Sequence, residues 1–421
     1  MTQLSSDQLS TSRRPRVHLT PTTGWMNDPH GVFYADGIYH LFFQHVPDSL
    51  EWRTDIAWGH ATSTNLLHWQ VEPIALPPGE GDEGCWSGAV AIDDDAQPVM
   101  FYTSVAGANH QLGRVRVARP NADWSAWVKG DIVAEAVDPT TRVFRDPMVF
   151  RDGDRWRMLV GAGVGHDTAG AEVFSSADLT NWRHDGLLTT REAAEQHPWT
   201  GTAWECPQLV RSVDGRDVLV VSIWDEHAPH DVAAATGSYL DGRFTPNHWQ
   251  LLTAGKSHFA ASTFTDAEGR ACLIFWIRGI SDPGRWAGVL SVPYLVTTDG
   301  DDVRLTPHPY LDAARTPADG PGTSLDIEWS LGDGGRLALV DSDGREHAVL
   351  EVADGRATIS VAGVTEPVTS EHTSDRLRII ADAQVLEVVT DGGLVGLPLP
   401  MHDGLIPHTT GPDTVAWWHL A

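Results

Sequence analysis

Three carboxyl groups sit in settings unlike those of solvated loops. Asp28 lies in Gly24-Trp25-Met26-Asn27-Asp28-Pro29-His30-Gly31, between aromatic and amide groups at the entrance of an apolar hairpin. Asp146 lies in Phe144-Arg145-Asp146-Pro147-Met148-Val149-Phe150, where the adjacent guanidinium can keep it ionised. Glu205 lies in Trp204-Glu205-Cys206-Pro207-Gln208-Leu209-Val210, and an apolar setting pushes a carboxyl toward protonation, as a general acid near neutral pH requires. A carboxylate facing a protonated carboxyl is the pair that cleaves a glycosidic bond, one attacking or activating water and the other protonating the leaving oxygen. Taken singly, each motif also fits a turn or a surface ion pair before a strand.

The elements that must hold these groups read as strands. Short runs rich in Val, Ile, Phe, Tyr and Trp, such as 31–46, 97–105, 147–163 and 215–224, are bounded by Gly, Asp, Asn and Pro, and several contain Asp-Gly, a strong hairpin signal. Long amphipathic helices are scarce, so the fold class is all-β. Two segments repeat Ser-x-Asn/Asp-Leu-x-x-Trp, Ser63 to Trp69 and Ser176 to Trp182. A repeated antiparallel unit predicts a propeller. Residues 306–323 are Pro-rich and polar and read as a linker, and the alternating strands beyond them read as a β-sandwich.

Composition narrows the ligand. With 57 acidic and 29 basic residues among 421, the formal net charge is −28, which disfavours nucleic acid, anionic membranes and multiply phosphorylated substrates. The 18 Trp exceed the 11 Phe and 6 Tyr combined, and indoles present large apolar plates with one polar handle. An acidic, Trp-rich chain points to a small neutral saccharide, although most individual Trp belong to the core. The first residues lack the apolar segment of a signal peptide, and three Cys are too few and odd in number for a disulfide framework, so a cytoplasmic location is expected.

Together and in this order, WMNDPHG, FRDPMVF and WECPQL resemble glycoside hydrolase family 32, the invertases, levanases, inulinases and related fructosyltransferases. Trp58-Gly59-His60-Ala61 and Trp86-Ser87-Gly88-Ala89 stand at matching places between them. The resemblance runs from about Arg16 onward, with 290–305 similar to the family's domain junction and 376–393 to its sandwich strands. It implies an N-terminal tail at 1–15, a five-bladed β-propeller over 16–305, the linker at 306–323 and a sandwich over 324–421.

The reaction implied is removal of terminal β-D-fructofuranosyl residues from sucrose or short fructooligosaccharides, by double displacement with retention. Carried over by motif, Asp28 is the nucleophile, Glu205 the acid and then base, and Asp146 the stabiliser of the charged transition state. The physics agrees, since a negative charge beneath an oxocarbenium-like centre lowers its barrier, and retention requires the Asp28 and Glu205 carboxyls about 5 to 5.5 Å apart. The implied substrate-binding positions are Asn27, Gln44, Trp52, Trp86, Ser87, Arg145, Phe259 and Trp276. No cofactor and no metal are implied.

Two places depart from the family pattern. His30 stands where Asn is usual, and either reaches the ligand or fills the turn. In Ser257-His258-Phe259-Ala260-Ala261-Ser262, Phe259 takes the place of a Tyr close to the acid/base, leaving His258 or Lys256 as candidates to tune Glu205. Among other readings, Asp225-Glu226-His227-Ala228-Pro229-His230-Asp231 is dense in potential metal ligands, yet lacks the His-Glu-x-x-His order, and Pro229 disfavours a helix. Cys206 is expected in the pocket wall. A fructosyltransferase, including one forming a difructose anhydride, a propeller glycosidase for another furanoside and a non-catalytic carbohydrate binder are the alternatives. The three acids argue against the last.

Overall fold

The computed structural model describes residues 14–421 apart from 122, 123, 125, 333, 411 and 412, so the expected tail at 1–15 lies outside the described residues but for Arg14 and Pro15. The chain is all-β, with one five-residue helix, Pro309–Ala313, among the described residues.

Four antiparallel meanders follow one another. The first comprises Gly24–Ala35 (β1), Ile38–Val46 (β2), Ala57–Ser63 (β3) and Gln70–Leu76 (β4). The second comprises Gly84–Ile92 (β5), Pro98–Val105 (β6), Arg114–Pro120 (β7) and Trp127–Ala134 (β8). Thr141–Asp152 (β9), Arg155–Val164 (β10), Thr168–Ser176 (β11) and Arg183–Glu192 (β12) make the third. Ala203–Arg211 (β13), Asp217–Asp225 (β14), Ala228–Leu240 (β15) and Arg243–Leu251 (β16) make the fourth.

After the short strand Thr253–Ala254 (β17), the strands His258–Thr265 (β18), Ala271–Asp282 (β19), Trp286–Leu290 (β20), Tyr294–Asp299 (β21) and Asp302–Pro307 (β22) form a last unit. There β18 pairs with β19, β19 with β21 and β21 with β22. β20 stitches this unit to the first, antiparallel to β19 and parallel to β1. The leading strands pack on one another in the cyclic order β1, β5, β9, β13, β18 and back to β1.

Local chemistry explains the turns. Asp36-Gly37 and Asp241-Gly242 close the β1–β2 and β15–β16 hairpins with both residues at positive φ, the conformation that Asp-Gly tolerates at least cost. The Ser-x-Asn/Asp repeat folds alike in both copies. Ser63 Oγ and Ser176 Oγ each accept from the amide two residues on, Asn65 Oδ1 and Asp178 Oδ1 take amides of the following turn, and Leu66 and Leu179 share a positive φ. Both copies join the third and fourth strands of their meanders.

The C-terminal part forms two further sheets. A seven-stranded one runs in the order β17, Gly393–Pro398, Val385–Thr390, Arg376–Asp382, Ser324–Ser330, Thr414–Leu420 and Arg315–Pro317. The other has five strands, and Leu325, Ile327, Trp329, Leu350, Ile359, Leu377 and Ile379 fill the space between the two. Because β17 belongs to the seven-stranded sheet, and Val218, Leu273 and Tyr294 share a buried cluster with Ile380, Leu394 and Leu420, the two parts share apolar core. No described helix is long and apolar enough to cross a membrane.

Candidate active site

One device recurs at the head of every unit, a β-bulge with a single extra residue on the leading strand. On β1, Asn27 pairs with Gln44 and Pro29 with Phe43, leaving Asp28 extra. On β5, Trp86 pairs with Thr103 and Gly88 with Tyr102, leaving Ser87. The skips that follow Arg145 on β9, Glu205 on β13 and Phe259 on β18 are equivalent. In four of them a non-glycine residue sits at positive φ: Asp28 at 23°, Asp146 at 62°, Cys206 at 45° and Ala260 at 50°. A bulge breaks the alternation of side chains, so two successive residues turn toward one place.

That place is a cavity of about 460 Å³ lined by ten of the eleven residues expected from the sequence, namely Asn27, Asp28, Gln44, Trp52, Trp86, Arg145, Asp146, Glu205, Phe259 and Trp276. The eleventh, Ser87, is buried against Asp28. Trp25, Gln111, Trp224, His227 and Pro229 complete the wall and were not expected. Trp25 could have been found, because it stands inside the first motif. Gln111 and His227 come from turns, and Trp224 and Pro229 from the paired ends of β14 and β15, whose placement over the cavity no local pattern encodes.

Asp28 is held by two donors, Ser87 Oγ to Oδ2 at 2.7 Å and Asn27 Nδ2 to Oδ1 at 2.9 Å. Gln44 ties these together, accepting from Asn27 Nδ2 at 2.8 Å and donating to Ser87 Oγ at 2.5 Å. Asp146 receives the Cys206 amide at 3.2 Å, with Cys206 Sγ 3.7 Å away, which places Cys206 under the ring of acids. Arg145 forms an ion pair with Glu205, donates to Gln111 Oε1 at 2.8 Å, and lies 4.7 Å and 5.6 Å from the Trp224 and Trp86 rings. Trp52 stands edge-on to Trp86 at 5.5 Å and is 44% exposed, so it forms the rim.

Burial raises the affinity of all three carboxyls for protons, and their neighbours separate them. Asp28 is raised by burial and drawn back by the Ser87 and Asn27 hydrogen bonds. Asp146 is raised by burial to about 6, against the pull of Arg145. Glu205 goes furthest, to about 8, since burial together with the charges of Asp146 and Asp28 outweighs Arg145. Near neutral pH the cluster therefore keeps a proton on Glu205, while the bonded Asp28 is the better anion.

His30 packs on Trp58 with ring centroids 4.0 Å apart and does not line the cavity, and burial holds its pKa near 3. His258 does not reach Glu205 and is not available to tune it. Its Nε2 lies 2.8 Å from Glu387 of the C-terminal part. Lys256 is exposed at the surface. The Asp225–Asp231 cluster is a hairpin, and Glu226 and His227 form its two-residue turn between Asp225 and Ala228, both at positive φ.

That turn has the geometry Asp-Gly takes elsewhere in the chain, but without glycine, and His227 enters the cavity wall. A β-carbon in this conformation costs about 1 kcal/mol or more. His227→Gly is therefore expected to raise the melting temperature while lowering kcat/KM about three- to tenfold, the worth of one hydrogen bond. A gain in stability with full activity would remove His227 from the site.

An all-β chain whose leading strands converge on three buried carboxyls and a wall of indoles is the architecture the motifs anticipated. The model of the glycosyl hydrolases family 32 N-terminal domain matches residues 18–309, and the chain belongs to that family. Sucrose-6-phosphate hydrolase of Escherichia coli is 30% identical over 309 residues, 66% of this chain and 61% of that protein. Its namesake in Zymomonas mobilis is 31% identical over 341 residues, 73% of this chain and 64% of that protein. The chain thus spans less than two thirds of the length of these relatives. In three dimensions it is similar to a Bombyx mori GH32 beta-fructofuranosidase, with a TM-score of 0.83 and 23% identity over 97% of this chain and 94% of that one.

Proposed function

We propose that the protein is a retaining fructoside hydrolase that releases terminal β-D-fructofuranosyl residues from sucrose or short fructooligosaccharides. One observation carries this reading: a single cavity holds Asp28, whose carboxyl is bonded by two donors, together with Glu205, whose carboxyl burial pushes up to about 8. Asp28 attacks the anomeric carbon while Glu205 protonates the departing oxygen. Glu205 then takes a proton from water as that water displaces Asp28. Asp146 holds the fructosyl hydroxyls as positive charge develops.

The same reading takes the five converging units as blades of a five-bladed propeller over 16–305, joined through 306–323 to a sandwich over 324–421. The cyclic packing of the leading strands and the shared bulge support that count. Glu205 lies on the β13–β14 side, so the leaving group rests against Trp224, His227 and Pro229.

A neutral substrate fits this lining best. Among the described lining residues Arg145 is the one Arg or Lys, and it lies against the carboxyls of Asp146 and Glu205, with Asp28 a further acid in the same lining. Incubation with sucrose, 1-kestose, inulin, levan and sucrose 6-phosphate, with products followed by chromatography and the first-formed anomer by NMR, tests the reading. Sucrose is expected to be cleaved with higher kcat/KM than its phosphate, releasing β-fructofuranose first. Cleavage of no fructoside, or inversion at the anomeric carbon, would overturn it.

A further inference from the structure

The bulge on β18 is the one without a polar side chain of its own. On β1, β9 and β13 the ring ties itself together: Ser87 bonds Asp28, Thr103 Oγ1 receives the Asp146 amide at 2.8 Å, and Asp146 receives the Cys206 amide. Phe259 and Ala260 offer no such group, yet Ala260 holds a positive φ within a buried cluster formed with Cys206 and Phe259, on which the half-buried Trp276 packs. A strained backbone persists only where its surroundings over-determine it. β13 supplies one tie beyond the bulge, Gln208 Oε1 receiving the Thr263 amide at 3.0 Å, and the residues ahead of the bulge need another.

It comes from the C-terminal sheet. Glu387, on the strand Val385–Thr390, has no exposed surface, and its oxygens meet four donors. These are His258 Nε2 at 2.8 Å, His18 Nε2 at 2.6 Å, Tyr294 Oη at 2.8 Å and the Val292 amide at 3.0 Å. The bonds hold Glu387 well below the usual carboxylate range in spite of burial, so it acts as an anion and acceptor only. His258 is therefore protonated at Nε2. Its Nδ1 faces Ser257 Oγ at 3.1 Å, and that oxygen receives the Gly396 amide at 2.9 Å. The His258 ring, one residue before Phe259, is thus tied to the C-terminal part directly at Nε2 and through Ser257 at Nδ1. In register, Phe259 pairs with Trp276, and both line the cavity.

We propose that Glu387 is a positioning residue for the candidate active site: through His258 it fixes the Phe259 bulge and, with it, the Phe259–Trp276 wall of the cavity. This rests on the fructosidase reading for its activity readout. It also puts a determinant of the site outside residues 18–309, in the part the family model leaves uncovered.

The test is a double-mutant cycle on the full chain with sucrose, at a temperature where every variant is folded. E387Q gives the His258 ring an amide in place of an anion. It is expected to lower kcat/KM about ten- to a hundredfold, the usual effect of removing an outer partner that orients a site. F259A is expected to lower kcat/KM with the same split between kcat and KM as E387Q, and E387Q/F259A to be no worse than F259A. The control is D326N, at a buried carboxylate of the same sheet that pairs with Arg315 and Arg378. It is expected to lower the melting temperature and leave kcat/KM unchanged. If E387Q is not recovered folded, H258Q, which cuts the link to β18 alone, enters the same cycle.

Unchanged kinetics in the folded variant, or additive losses in the double variant, would overturn the positioning role. Should the parent cleave no fructoside, the functional reading falls by itself, and hydrogen exchange decides the inference. E387Q then has to deprotect the 257–264 segment selectively, and protection equal to the parent's would sink it.

Discussion

Asp28→Ala is expected to abolish turnover of sucrose, with kcat falling by about 10⁴-fold or more, the loss typical of removing a covalent nucleophile. Such a loss corresponds to at least about 5 kcal/mol of transition-state stabilisation. Folding should survive, because Asp28 is a burden to the fold as much as a support. Burial raises its pKa above the ordinary value, which means that the anionic form is less well accommodated in the protein than in water. Asn27 and Ser87 each keep their bond to Gln44 without it, and only the Ser87 hydroxyl proton and one amide proton of Asn27 lose an acceptor. The melting temperature is therefore expected to stay within a few degrees of the parent's. Residual activity above about a hundredth of the parent's would contradict the nucleophile assignment, since misplaced water alone does not recover that much of the barrier.

The sequence carried the three acids because each stands in a distinctive local motif, beside Pro and aromatic or Cys neighbours, within an apolar run. Asp-Gly and Ser-x-Asn/Asp were legible for a related reason: their backbone bonds close within a few residues, so the chemistry of the turn is written next to the turn. The bulges were not legible. One extra residue shifts the alternation of a strand by a single place, and in strands buried on both faces, such as β9 and β13, there is no polar face to reveal it. His258 illustrates a longer reach. Read beside Phe259 it looked like a group for the acid, whereas its partner Glu387 stands 129 residues away on another sheet. His227 was read for its neighbours' ligating atoms when its backbone conformation and the cavity beneath it were what mattered. Residues 306–323 looked like linker because Pro and polar side chains dominate, but they hold a capped helix and a strand that pairs with Thr414–Leu420.

Glu205→Gln is expected to separate the two halves of the reaction. With sucrose, whose leaving oxygen must be protonated, kcat should fall by about 10³-fold, within the range contributed by general acids. With β-fructosyl fluoride, whose leaving group needs little protonation, formation of the fructosyl-enzyme should be far less affected. The missing base then limits its hydrolysis, and azide, which needs none, should restore turnover and yield fructosyl azide. The pH dependence has a definite sign. Glu205 must carry a proton to act first, so kcat/KM of the parent should decline as pH rises through about 8, and that alkaline limb should be absent in E205Q. Asp146, raised to about 6, interacts with Glu205, so the limbs report apparent constants of the acid cluster rather than of single residues. Stability follows the same protons. A folded state that holds a proton on Glu205 up to about 8, where an unfolded carboxyl has lost it near 4.5, becomes less stable as pH rises across that window. E205Q carries no such proton, so its melting temperature should gain on the parent's between those limits, while the parent loses the acid its mechanism needs. An unchanged alkaline limb in E205Q would transfer the acid role to another group.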